Sequence, residues 1–122
     1  MRRRRRNSVL EALELIRDVS PKLGPVDQIA LFYVAENPGI SIAELAHVAR
    51  VNMMAASRIA RRLAAAGEGE SAGLVDIRPN PADARGLMLF LTPEGEALCA
   101  GIDRSIEASV PIDCGGLQVI NQ

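Results

Sequence analysis

Hydrophobic positions along this chain recur with a helical period over its first third. Apolar residues spaced three or four apart predict a first helix over 9–19 and a second helix over 25–36. The sequence Asn-Pro-Gly at 37–39 is expected to end the second helix. At the start of the first helix, Ser8 and Glu11 have the spacing of a capping box.

Two further helices, joined by a tight turn, follow at 42–48 and 53–66. Ser41 and Glu44 form a capping box that is expected to begin the third helix. Asn52 is expected to cap the fourth helix, because an asparagine side chain accepts a hydrogen bond from a free amide of the first turn. Two helices with a short turn between them are typical of a helix-turn-helix.

The pattern changes to strands beyond the fourth helix. Alternating side chains predict one strand over 74–78 and a return strand over 87–91, with a turn-rich segment at 79–86 between them. A fifth helix is expected over 93–110, with Thr92 as its cap. The predicted fold class is mainly α with a small β-hairpin wing (α+β), which is a winged helix-turn-helix.

The length and composition of the chain permit one domain. The 122 residues are 48% hydrophobic but only 2% aromatic, so an aliphatic core is expected. We expect a disordered basic arm at 1–7 and a C-terminal tail at 111–122. The segment between them, 8–110, is expected to hold the winged helix-turn-helix with flanking N- and C-terminal dimerisation helices.

Positive charge is concentrated in parts of the chain. The net charge is −1, and removing the five charges of Arg2–Arg6 leaves −6 on residues 7–122. Within that acidic remainder, six arginines lie between positions 41 and 92, which favours a local anionic partner. The Arg2–Arg6 run is either a minor-groove arm or simply a disordered charged end.

Other classes of protein have little support in the composition. No apolar run approaches the roughly 20 residues that span a membrane. The two cysteines and the single histidine lack the spacing of metal ligands, so no metal and no cofactor are expected. The side chains form no catalytic constellation, which argues against an enzyme. A cytoplasmic protein with free thiols is expected.

The fourth helix has an apolar arc and an opposite polar arc. The residues expected to contact DNA from this helix are Asn52, Met53, Met54, Ser57, Arg58, Arg61 and Arg62. The first four lie in the N-terminal part that reads bases in a helix-turn-helix, where a methionine can cover a thymine methyl group. The arginines suit phosphates or a guanine. The alternative is a basic face that is only solvated.

The wing carries the remaining expected contacts. Arg85 is expected to enter the adjacent minor groove, with Arg78 behind it. Asp83 lies two residues before Arg85 and is expected to aim its guanidinium through a salt bridge. A plainer interpretation, which is compatible with this one, is that Asp83 and Arg85 only shape a turn.

These features together resemble the MarR family of bacterial winged-helix transcription regulators, over about residues 24–98. The matching positions are Leu45-Ala46, Val51, Ser57-Arg58, Arg62-Leu63, Gly73-Leu74-Val75, Arg78, Asp83, Arg85, Leu89, Leu91-Thr92 and Gly95. The resemblance implies a homodimer that binds a roughly palindromic operator on double-stranded DNA, usually as a repressor. It also implies interleaved first and C-terminal helices of the two subunits and a small-molecule effector.

Three departures from the family pattern are present. Residues 67–72 look like an insertion before the wing, and no second C-terminal helix is evident after Pro111. Met53 and Met54 stand where polar base readers are usual.

The sequence therefore predicts a DNA-binding transcriptional regulator, acting as a repressor. It is expected to read operator DNA with helix 53–66 and the 80–86 wing. The alternative is a winged-helix protein-interaction module, or a truncated or phage-type regulator that does not bind DNA by itself.

Overall fold

A computed structural model of the chain describes residues 5–65 and 73–114. The described residues form helices and one antiparallel sheet, so the predicted winged helix-turn-helix fold is confirmed. The elements are α1 (Ser8–Val19), α2 (Pro25–Glu36), β1 (Ile40–Ser41), α3 (Ile42–Ala49), α4 (Met53–Ala64), β2 (Val75–Asn80), β3 (Asp83–Leu91) and α5 (Pro93–Glu107). None of these helices is long and apolar enough to cross a membrane.

The sheet has the strand order β1-β3-β2, and β3 pairs with both neighbours in antiparallel fashion. Ile40 of β1 is opposite Leu89, and the amide of Gly39 donates to the Leu89 carbonyl at 2.8 Å. The sequence did not predict β1, because two residues are too few to show alternation. This short strand ties the start of α3 to the root of the wing.

The wing is longer and its tip is tighter than the sequence predicted. Strand pairing continues to Asn80 and resumes at Asp83, so the prediction of a turn over 79–86 is wrong. Pro79 is tolerated in the ladder because β2 is an edge strand, where a missing amide leaves no partner unpaired. The Asn80 side chain accepts from the Ala82 amide at 2.9 Å, and this local bond closes the tip.

The core lies where α2, α3 and α4 meet the sheet. Its fully buried large side chains are Leu31, Val34, Leu45, Leu63, Leu74, Val75 and Leu89. All are aliphatic, as the composition predicted. The core therefore holds α3, α4 and the wing as one unit.

Hydrogen bonds join the start of α1 to the end of α5 and the residues that follow it. Asn7 caps α1, so the predicted capping box of Ser8 with Glu11 is wrong. The Ser8 hydroxyl instead donates to the Ser105 carbonyl at 2.6 Å and accepts from the Val110 amide at 3.0 Å. A tertiary partner has replaced the local cap that the spacing suggested.

Several predicted boundaries shift. Helix α4 ends at Ala64 rather than at 66, and residues 67–72, which look like an insertion, lie outside the described residues. Helix α5 ends at Glu107 rather than at 110. Arg6 was expected in the disordered arm, but its guanidinium pairs with Glu14 of α1 at 2.7 Å. Residues 1–4 of that arm lie outside the described residues.

Candidate nucleic-acid interface

Local hydrogen bonds fix the two helices of the helix-turn-helix, as the sequence predicted. The Ser41 hydroxyl accepts from the Glu44 amide at 3.0 Å, and the Glu44 carboxylate accepts from the Ser41 amide at 2.9 Å. Hydrogen bonding of the carboxylate by Ser41, first by its backbone amide and then by its side chain, lowers the pKa of Glu44. Arg50 adopts a left-handed conformation, with a φ of 60°, at the end of α3. Asn52 then caps α4 by accepting from the Ala55 amide at 2.8 Å.

Helix α4 has one buried face and one face open to solvent. The buried side chains, which pack against α2 and α3, are Ala56, Ile59, Ala60 and Leu63. On the open side, Arg58 and Arg61 are exposed and Ser57 is half-buried. Neither arginine forms an ion pair with another described residue. This open face matches the polar arc predicted from the helical wheel.

Arg62 has a different environment from the other arginines of α4. Its guanidinium donates to both carboxylate oxygens of Asp27 in α2, with a shortest distance of 2.9 Å. The Asp27 side chain is only 7% exposed and also accepts from the Gly24 amide at 2.9 Å. Arg62 lies at the edge of the polar arc beside the core and joins α4 to α2 through Asp27. About half of its side chain remains exposed, and its contact with DNA stays a prediction.

The sequence missed Asp27, which is the buried partner of that anchor. The visible signal was an acid at the third position of α2, where it can accept from the backbone amide before the helix. That position predicts a local cap. It does not predict a partner 35 residues away.

At the wing, Asp83 contacts the backbone of Arg85 and not its guanidinium. The Asp83 carboxylate accepts from the Arg85 amide at 3.0 Å. No salt bridge joins these two side chains, so the predicted aiming of Arg85 by a salt bridge is wrong. Asp83 shapes the turn, as the alternative held. The Arg85 side chain is exposed and has no ion-pair partner among the described residues.

Arg78 lies on the hairpin with contacts of its own. Its guanidinium carbon is 4.5 Å from the centroid of the Phe90 ring, and its Nη2 is 3.3 Å from the Asp76 carboxylate. Stacking a guanidinium on an aromatic face stabilises the pair by a cation–π attraction. Arg78 therefore supports the hairpin beneath the tip, and about half of its side chain remains exposed.

A cleft of about 610 Å³ separates α4 from the wing. Met53 and Ser57 line it from α4, and Asp83 and Arg85 line it from the wing. Glu44 also lines the cleft, but its carboxylate already accepts the bond that caps α3. The structure thus brings the first turn of α4 and the wing arginine to one side of the domain.

A buried junction behind this cleft holds the wing to the helices. The Leu74 amide donates to the Leu63 carbonyl at the end of α4, and the Leu74 carbonyl accepts from the Thr92 amide. The Thr92 hydroxyl donates to the Gly73 carbonyl at 2.6 Å and accepts from the Gly95 amide at 3.0 Å. These bonds join α4, β2 and α5, and they set the position of the wing relative to α4.

A second cleft, of about 990 Å³, lies between α1, α2 and α5. The apolar side chains that line it and are at least half exposed are Val9, Leu13, Ile29 and Ile106. Cys99 also lines it, and burial together with the nearby Asp103 carboxylate raises the pKa of its thiol. This face leaves apolar surface of three helices open in the single chain.

Comparison with solved structures finds this fold in bacterial proteins. RV1404 from Mycobacterium tuberculosis aligns with a TM-score of 0.68 and 21% identity, over 94% of this chain and 70% of that chain. The transcriptional regulator Tm0710 from Thermotoga maritima aligns with a TM-score of 0.68 and 22% identity, over 83% and 66%. A mutant MarR from E. coli, crystallised in complex with operator DNA, aligns with a TM-score of 0.60 and 26% identity, over 81% and 68%.

Comparison of the sequence with protein-family models gives no match, and comparison with curated proteins gives none either. The chain spans about two thirds of the length of the three structures above. The likeness therefore lies in three-dimensional structure and covers most of this chain.

Proposed function

We propose that this chain is a bacterial transcription regulator that binds double-stranded DNA and represses transcription. It has the fold of the MarR-family transcription regulators. One observation carries the proposal. Ser57, Arg58 and Arg61 share the open face of α4, and Arg85 lies on the adjacent wing. Exposed guanidiniums without an ion-pair partner among the described residues are available to phosphates and guanine edges.

In the proposed complex, α4 lies in the major groove with its first turn against the bases. Met53, Met54 and Ser57 face base edges. Asn52 keeps its amide oxygen on the helix cap, so only its NH₂ group is free to donate to DNA. Arg58 and Arg61, one and two turns further along, contact phosphates or a guanine.

The wing supplies a second contact in this proposal. Arg85 reaches the adjacent minor groove, where a guanidinium is attracted by the negative potential of a narrow groove. Asp83 fixes the backbone of the turn that presents Arg85. Arg78 supports the hairpin through Phe90 and adds charge toward the phosphates.

We further propose that two copies associate to present two reading helices to a roughly palindromic site. The open apolar face of α1, α2 and α5 supports this, because Val9 and Ile106 are more than half exposed in the single chain. A small-molecule effector that alters this arrangement would regulate DNA binding. As a regulator of transcription, the protein would act in the cytoplasm.

Selection of bound fragments from a random duplex library tests the function. We expect a selected duplex to bind with submicromolar affinity at physiological salt. Arg58→Ala and Arg61→Ala should each weaken binding roughly tenfold and reduce the slope of log affinity against log salt by about 0.9 per lost phosphate contact. Arg17→Ala, on α1 beside Asp18, is the matched control and should leave affinity unchanged.

The competing function is a winged-helix protein-interaction module. The −6 charge on residues 7–122 and the open apolar face favour it. Light scattering of the purified chain, with and without a library duplex, separates the two functions. A monomer that selects no duplex would support the interaction module and would refute the DNA-binding proposal.

A further inference from the structure

The first turn of α4 carries only apolar side chains. Residues 53–56 read Met-Met-Ala-Ala, between the Asn52 cap and Ser57. Met53 is 54% exposed and Met54 is 67% exposed, the highest value among the exposed large hydrophobic side chains of the described residues. The part of the helix that is proposed to meet the bases therefore offers apolar surface.

The packing of the domain does not account for these methionines. The apolar arc of α4 is already filled by the four buried side chains that begin with Ala56. Met53 and Met54 lie outside that arc, at the end of the helix nearest the turn. Side-chain hydrogen bonds from residues 53–56 are chemically impossible apart from the weak thioether acceptor, and the Asn52 oxygen is engaged by the Ala55 amide.

The arginines further along α4 indicate which kind of partner covers the two methionines. Met53, Ser57 and Arg61 follow one another at intervals of four residues and form one row of the helix surface, and Met54 and Arg58 form a second row. Each row thus begins with a methionine at the start of α4 and has an arginine one or two turns further along the helix. A nucleic-acid groove complements this order, with phosphates at its edge and base edges at its floor.

The structure assigns Met53 and Met54 as specificity-determining residues that contact the C5 methyl groups of thymine in the major groove. This inference rests on the proposed function. The thymine methyl is the apolar group that an ordinary base pair displays in that groove. A methionine side chain is long, unbranched and polarisable, so it can follow such a methyl closely. The expected operator carries thymines at fixed positions in each half-site.

Replacing thymine by deoxyuridine removes the methyl group and leaves the base-pairing edge unchanged. The probe is a duplex selected from the random library, with deoxyuridine placed at one thymine position at a time. Fluorescence anisotropy should show binding about fourfold weaker for each contacted methyl, the fold-change that corresponds to about 0.8 kcal/mol. Replacement of thymines outside the part of the duplex that the protein covers should leave the affinity unchanged.

Alanine variants locate the effect in the protein. Met53→Ala and Met54→Ala retain helix propensity, so α4 should fold. Each variant should bind the thymine duplex and the deoxyuridine duplex with equal affinity when the replaced thymine is the one that the missing methionine contacts. Arg58→Ala is the matched control. It should weaken binding to both duplexes while the thymine-to-deoxyuridine ratio stays unchanged.

Each other outcome has a distinct meaning. Tight binding with equal affinity for thymine and deoxyuridine overturns the methyl assignment and leaves the proposed function standing. A deoxyuridine effect that persists in both methionine variants also overturns it, since DNA deformability would then be the cause. Failure to select any duplex refutes the proposed function, and the assignment with it.

Discussion

Replacing Gly95 with alanine would put a methyl group where the backbone of another element already lies. An added Cβ would be 2.2 Å from the carbonyl oxygen of Leu74 and 3.2 Å from Cδ2 of Leu91. The Leu74 oxygen cannot move away freely, because it accepts from the Thr92 amide at 3.0 Å. The start of α5 and the start of β2 must therefore separate in the variant.

The expected loss of stability follows from three contributions. Overpacking costs about 1–3 kcal/mol, and a clash with backbone belongs at the upper end of that range. Loss of the Thr92–Leu74 hydrogen bond costs about 1 kcal/mol more. Alanine favours a helix over glycine by about 1 kcal/mol, which offsets part of the cost. Gly95→Ala should thus lower the free energy of unfolding by about 3 kcal/mol, or Tm by about 12 °C.

Urea unfolding followed by circular dichroism measures this loss, and a second glycine of α5 provides the control. An added Cβ at Gly101 would meet only the Arg104 and Leu15 side chains, at 3.7 Å, which is ordinary contact. Gly101→Ala should therefore stabilise the protein by about 0.5–1 kcal/mol. If Gly95→Ala proved as stable as Gly101→Ala, the account of the junction would be refuted.

Three further predictions follow from the ion pair, the helix cap and the thiols. Arg62→Ala should lower the free energy of unfolding by about 1–3 kcal/mol in urea, because it removes a partner from a buried carboxylate; exposed Arg61→Ala should change it by less than about 0.5 kcal/mol. Hydrogen bonds lower the pKa of Glu44 below 4.5, so the stability that it contributes is present above that value and lost as pH falls through its folded pKa. Urea titrations at stepped pH should show this loss in the parent and not in Glu44→Gln. Burial raises the pKa of Cys99, so iodoacetamide should modify exposed Cys114 first at pH 7, as read by peptide mass spectrometry.

Each of these predictions has a contradicting result. Equal stability of the Arg62 and Arg61 alanine variants would remove the anchor role of Arg62. An acid dependence of Glu44→Gln identical to that of the parent would show that the carboxylate does not contribute through its charge. Modification of Cys99 before Cys114 would show that the thiol in the second cleft is more open than its burial indicates.

The sequence predicted elements whose signals are local. Ser41, Glu44 and Asn52 make the caps that their spacing suggested, because each bond spans three residues. The two-residue strand at Ile40 and the tight tip after Asn80 were beyond such reasoning. The short strand depends on the central position of β3 in the sheet, and the tip depends on how far β2 and β3 pair past Pro79.

Polar residues with two possible partners limited the prediction of side-chain contacts. Ser8 has the spacing of a local cap, but its hydroxyl bonds a carbonyl 97 residues away. Arg62 lies on the basic arc of α4, but a buried carboxylate of α2 holds it. In both cases the local pattern gave no sign of the distant partner, and a contact of Arg62 with DNA stays a prediction. The exposure of Arg58, Arg61 and Arg85 agrees with the sequence, and their contact with DNA stays a prediction.

The end of the motif that carries the family resemblance has a structural role in this chain. Leu91, Thr92 and Gly95 resemble the family pattern, and the fold of its members is the one that this chain adopts. In the structure, Thr92 and Gly95 form the buried junction that joins the wing to the helices, and both are buried. The pattern is therefore expected wherever this junction is kept, whatever DNA is bound.

Under the proposed function, specificity then depends on the exposed side chains of the first turns of α4. Met53 and Met54 depart from the usual polar readers, and they are the most exposed large side chains of the reading turn. The junction fixes where this turn lies, so under the proposed function a change at these two positions would alter the preferred bases without altering the fold. Exchanging them for polar residues should therefore change the selected sequence while the stability in urea stays within about 0.5 kcal/mol of the parent.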